Sequence, residues 1–215
     1  MRRIAVVLGL VVLLLPTAAW SDSIRTNQFG AVSITNAGIV CNGSQLTSFD
    51  GITPPSKHSL GSVSFSTGAL TSVTSGSIWR GGTFSGKGSS FDVVGVGAWA
   101  KAITGCSTCA DPIPLFAGSF ASPIEWTVVS HSGYNYLFRL SGMVRGELYN
   151  GRFISAYTRQ TIVVYQNQWF QDHQGGLRSG KTSFGLNTPE PGTLGLFGTG
   201  LIVIAGVVRR RLFGA

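Results

Sequence analysis

Carboxylates are scarce in this chain. Only 8 of 215 residues are Asp or Glu, and charged residues of both signs make up 11%. Catalysis by paired carboxylates therefore has little stock to draw on. Histidine is scarcer still, with only His58, His131 and His173. All three sit in polar or turn-forming surroundings and read as solvated loop residues. No Gly-x-Ser-x-Gly elbow is present to activate a serine. Asp172 and His173 are adjacent, so they would point apart on a strand and cannot chelate together. Asp50 and Asp92 are too isolated to build a calcium site of many oxygens. Gly95-Val96-Gly97 lacks the third glycine and the helix of a dinucleotide loop. A zinc site would need a second C-x-x-C or clustered histidines, and neither exists. No cofactor, metal or catalytic residue is expected. Between the chain ends, no segment of three turns carries the 3.6-residue apolar stripe of a helix.

What the chain does have lies first at its ends. Met1-Arg2-Arg3 is a positive start, residues 4–15 form 12 apolar positions, and Pro16 breaks the run. Small residues follow in Thr17-Ala18-Ala19-Trp20-Ser21, so cleavage after Ala19 or Ser21 satisfies a small-x-small rule, with Ser21 favoured. This is the pattern of a secretory signal peptide, residues 1–21. At the other end, Thr188-Pro189-Glu190-Pro191-Gly192 leads into residues 192–208, 17 positions without a charge, then Arg209-Arg210-Arg211. A helix of 17 residues spans about 25 Å, slightly short of a hydrocarbon core. Three arginines are costly to translocate and act as a stop-transfer block on the cytoplasmic side. The prolines keep residues 189–191 extended and open to an enzyme.

This order of motif, apolar span and basic stop resembles the PEP-CTERM sorting signal of Gram-negative bacteria, over residues 188–215. The resemblance implies that exosortase reads Pro189, Glu190 and Pro191 as substrate residues. It also implies a membrane-anchored precursor, with a transmembrane helix at 192–208, that ends in the envelope, at the cell surface or outside the cell. The expected route of export is the Sec translocon.

The ends account for much of the basicity. Five of the 16 basic residues lie in the two terminal clusters and one of the eight acids is Glu190, leaving 11 basic and 7 acidic residues between. A net charge of +4 spread over 167 residues is no nucleic-acid footprint. Acidic exopolysaccharide is the anionic partner such a surface could favour. Export also places the three cysteines in an oxidising space. One disulfide and one leftover thiol are expected. Joining Cys41 to Cys106 or Cys109 would close a long loop, worth about 4 kcal/mol in the chain-entropy model. A Cys106–Cys109 bridge would only pin a turn. A redox motif would need a helix starting at Cys106, and Asp111-Pro112-Ile113-Pro114 argues against one.

The middle is rich in Gly, Ser, Thr, Val and Phe, which favours strands. In residues 136–148 the set Tyr136, Phe138, Leu140, Gly142, Val144, Gly146 and Leu148 alternates with a mostly polar set. Asn150-Gly151 then signals a hairpin returning through residues 152–165. Arg145, Glu147, Arg152 and Arg159 are placed to form cross-strand ion pairs. Shorter runs at 31–34, 60–66, 76–79, 90–96, 113–120 and 124–130 fit the same period. The expected fold is all-β, a single β-sandwich or jelly-roll-like domain over 22–170, with a polar linker over 171–187. A β-helix is the alternative, but no constant repeat period supports it.

The expected function is a non-catalytic surface or matrix protein. A second reading is a carbohydrate-binding module, with Trp79, Trp99, Trp126, Trp169, Tyr134 and Tyr136 as stacking candidates. A third is a glycoside hydrolase drawing on Glu125, Glu147, Asp92 and Asp111, with Glu125 the best single residue.

Overall fold

The computed structural model describes residues 23–26, 30–54, 59–121, 123–133, 135–165 and 173–184. The expected signal peptide (1–21), the sorting motif and the expected transmembrane helix at 192–208 lie outside these residues. Among the described residues, no helix is long and apolar enough to cross a membrane.

Twelve strands form: β1 (Ser23–Thr26), β2 (Ala31–Thr35), β3 (Gly38–Ser48), β4 (Gly61–Ser66), β5 (Leu70–Val73), β6 (Gly82–Phe84), β7 (Ser90–Gly95), β8 (Ile113–Phe120), β9 (Ile124–Ser132), β10 (Asn135–Leu148), β11 (Phe153–Tyr165) and β12 (His173–Phe184). One helix, α1 (Ala98–Thr104), follows β7. Two short 3-10 turns, Thr74–Gly76 and Ile78–Arg80, occupy the segment read from sequence as a strand at 76–79.

The pairings reduce twelve strands to eight staves. β1 and β2 both lie between β12 and β3, as one interrupted stave. β8 and β9 both run antiparallel to β10. β4 pairs with β7 while β5 pairs with β6, so β4/β5 and β6/β7 are two more interrupted staves. Their breaks sit side by side, where Gly68 N–H donates to the Ser85 carbonyl and Ser85 N–H to the Ala69 carbonyl, both at 2.8 Å. The staves therefore run up and down in sequence order, and β12 closes the ring between β11 and β2. This is a closed eight-stranded barrel, not the expected sandwich.

β12 closes the ring. The sequence predicts a polar linker over 171–187, yet residues 173–184 supply the closing stave. The reason is visible in its inner face: Leu177, Gly180 and Thr182 point in, and only one of these is a large apolar residue. Alternation without apolar contrast gives no period-two signal. β3 was missed for another reason. A bulge between Cys41 and Ser44 shifts its register, so Ile39 and Cys41 are out of phase with Leu46.

The expected hairpin of β10 and β11 is present in continuous register from Asn135↔Tyr165 to Glu147↔Phe153. The turn is built as Asn150-Gly151 requires. Gly151 sits at φ 78°, and the Asn150 side-chain oxygen accepts from Arg152 N–H at 3.1 Å. The inner column of β10 is the predicted one, with Phe138, Leu140, Gly142, Val144, Gly146 and Leu148 all buried. Gly146 is there for space, since a Cβ at that position would lie 2.2 Å from the Ala117 carbonyl oxygen.

The lumen is filled. Phe65, Phe84, Phe91, Phe116, Phe120, Trp126 and Phe138 are essentially inaccessible. Phe91 lies 6.1 Å from Phe65, 6.2 Å from Phe116 and 6.0 Å from Phe120, ring centre to ring centre. Eight strands enclose an interior that side chains can fill, and here they do. Apolar side chains face in and polar ones face out, the reverse of the alternation in membrane-spanning barrels.

Candidate functional site

The cysteines resolve as one local bridge and one thiol. Cys106 and Cys109 are joined, with Cα atoms 5.5 Å apart, and Cys41 is free and buried. Burial pushes the Cys41 thiol up to about 11, only partly opposed by its hydrogen bond with Ser44. A neutral, inaccessible thiol is unreactive. Helix α1 ends at Gly105, before Cys106, so no helix N-terminus activates the pair. Asp111 ties this loop down by accepting from Gly97 N–H at 3.1 Å.

The described aromatic candidates mostly pack inward. Trp126 stacks on Phe138 at 4.2 Å and donates its indole N–H to the Ile78 carbonyl at 3.1 Å. Trp79 lies 5.0 Å from Tyr136 and 5.9 Å from Phe138. Tyr136 in turn meets His131 at 4.2 Å. These rings form one stack running from the core toward a barrel end, not a platform on the surface. Trp99 packs against the core, and its indole N–H has no partner among the described residues. Trp169, Tyr134 and His58 lie outside the described residues, and so does Asp172.

The carboxylates are on the outer wall. Asp92 and Glu147 both lie across from Ala117, one from β7 and one from β10. Two strand spacings separate them, about 10 Å. Burial raises the Asp92 carboxyl, opposed in smaller part by its hydrogen bond with Ser90. Glu125 sits apart on β9, across from Thr83 and Ser141, and is exposed. A convex wall has no sides to close over a glycosidic bond or exclude water from it. Two surface hollows, of about 480 and 420 Å³, have no carboxylate among their described lining residues. The register also sets Arg145 across from Ser155 and Glu147 across from Phe153, so the expected ion pairs do not face one another directly.

What the register does bring together is positive charge. Arg25 on β1 lies across from Lys181 on β12, and Lys181 lies across from Arg159 on β11. Arg159 also sits 5.4 Å over the Tyr157 ring. Arg139 and Arg145 on β10 and Arg178 on β12 are exposed as well. The +4 of the exported part is therefore not spread out. Residues 22–134 carry five basic and five acidic residues, while residues 135–187 carry six basic and two acidic. That asymmetry was countable from sequence, but its concentration in a cross-strand row depended on β12 being a strand.

A family model described as the PEP-CTERM protein-sorting motif matches residues 187–211. No curated protein and no solved structure matches the chain. The matched segment begins three residues beyond the last residue of β12. The motif implies exosortase as processing partner, and an exported, membrane-passing precursor that is later at the cell surface.

Proposed function

We propose that the chain delivers a non-catalytic β-barrel to the cell surface or extracellular matrix, with exosortase processing at Pro189-Glu190-Pro191. The observation that carries this reading is the matched motif, which follows directly on the strand that closes the barrel. Two further features support it. Among the described residues, packed aromatic and aliphatic side chains occupy the lumen. Asp92, Glu125 and Glu147 stand on the outer wall, and no cleft among the described residues brings two of them together.

The test is a double substitution, Pro189→Ala with Pro191→Ala, in the native host. The expected result is loss of the processed form, with precursor retained at the membrane fraction. Unchanged processing and unchanged surface delivery would overturn the reading.

A further inference from the structure

We infer that the outer wall of β10, β11 and β12 is a binding face for an acidic polysaccharide, centred on the cross-strand pair Lys181 and Arg159. This rests on the proposal that the barrel is delivered to the cell surface. Like charges directly opposite on neighbouring strands repel, and folded sheets generally offset such pairs with an opposite charge nearby. Here Lys181 and Arg159 stand directly opposite on neighbouring strands, with Arg139 on the diagonal from Arg159, and all three are exposed. Among the described residues, the register and diagonal neighbours of Lys181 and Arg159 are Ser23, Ser141, Met143, Tyr157, Thr161, Ser179, Ser183 and Arg139, with no carboxylate among them. Glu125 and Glu147 lie further out, beside Arg139 and Arg145. A fold gains nothing from this repulsion, whereas an anionic ligand would relieve it.

The surroundings specify the anion. Guanidinium groups hold carboxylates in a two-point fork. Hydroxyls lie between the cations at Thr161 and Ser179, suited to hydrogen bonding with sugar hydroxyls. Tyr157 is exposed at 39% beside Arg159 and offers a face for a sugar ring. The face is a side wall of regular strands, and between Arg139 and Lys181 it presents no large aliphatic residue for insertion into a lipid surface. An extended polymer with repeated carboxylates fits a row of charges along neighbouring strands. A single small anion would need an enclosed pocket instead.

The experiment uses the full chain in detergent, titrated with a polyuronate, a neutral glucan of similar length, and vesicles of phosphatidylcholine with phosphatidylglycerol. The expected result is polyuronate binding that weakens with added salt, and none to the glucan. Arg159→Gln with Lys181→Gln should weaken polyuronate binding at least tenfold. Arg80→Gln with Lys87→Gln, on the charge-balanced side, should change it less than twofold. Both double variants should keep the wild-type melting temperature or exceed it. Equal weakening by the two variants, absence of polyuronate binding, or binding to the vesicles alone would each overturn the inference. Processing of Arg159→Gln/Lys181→Gln in the host separates the two readings. Normal processing with unchanged polyuronate binding removes the binding face and leaves surface delivery standing.

Discussion

Two sides of the barrel solve the same packing problem in opposite ways. The side built from β4, β6, β7, β8 and β9 fills the lumen with rings: Phe65, Phe84, Phe91, Phe116, Phe120 and Trp126. The side built from β11 and β12 turns no aromatic inward over residues 154–164 and 175–183. It offers Ala156, Thr158, Gln160, Gly180 and Thr182 instead, among a few aliphatics. In strand order β12 stands four staves from β7, directly opposite. Large residues from one side thus reach toward small ones on the other, which is how a narrow interior reaches native packing density. The polar members of the small side are satisfied among themselves. Thr158 and Thr182 hydroxyls lie 2.8 Å apart, and the Gln160 amide donates to the Thr158 hydroxyl at 2.7 Å.

The comparison can be broken most severely at Phe91. Phe91→Ala removes the ring that three others contact, with no neighbour free to collapse into the space. A loss of about 3–5 kcal/mol is expected in urea denaturation. A loss under 1 kcal/mol would mean that the aromatic side is not what fills the barrel. On the small side, Thr158→Val keeps the shape but removes the hydroxyl that receives Gln160 and meets Thr182. About 1–3 kcal/mol should be lost, as polar groups lose a buried partner. A neutral outcome would show that water or another group replaces it.

The mildest test lies on the outside of the aromatic side, at Asp92. Its carboxyl is held above the usual range by burial, so the folded state binds a proton more tightly than the unfolded one. Stability is then fullest below the unfolded pKa, about 3.9, and falls as pH rises through the folded value. Asp92→Asn should remove that fall and leave the neutral-pH protein slightly more stable. Its sign is checked by comparing melting temperatures of the two proteins at pH 4 and pH 7. A melting temperature lowered at pH 7 would show that the charged form is favoured after all.

The same contrast explains what could be read from residue order. β10 announces itself because Tyr136, Phe138, Leu140, Val144 and Leu148 alternate with arginines and small polar residues, and Asn150-Gly151 fixes the turn. β8 was legible over its full length, residues 113–120. β12 was not, because its inward residues owe their size to the rings opposite, and those are distant in sequence. Closure was illegible for the same reason. Strands without β12 read as part of a sandwich, and only β12, with partners on both sides, makes a ring. The sorting tail needed none of this, since its information is linear. The basic row was half legible: the charge excess of residues 135–187 could be counted, but the alignment of Arg25, Lys181 and Arg159 is a product of closure.

The seam has a temporal meaning as well. Ser23 pairs with Ser183, 160 positions later, and Ile34 with His173, 139 positions later. A chain that crosses a membrane with its N-terminus first must leave β2 waiting with an unpaired edge until β12 emerges. Long-range pairings of this kind form late and leave sheet edges exposed to aggregation in the meantime. The segment read by exosortase emerges only after β12. Every chain that presents the motif has therefore already exported the strand it needs to close, so the order of residues puts the closing strand outside before the motif is offered.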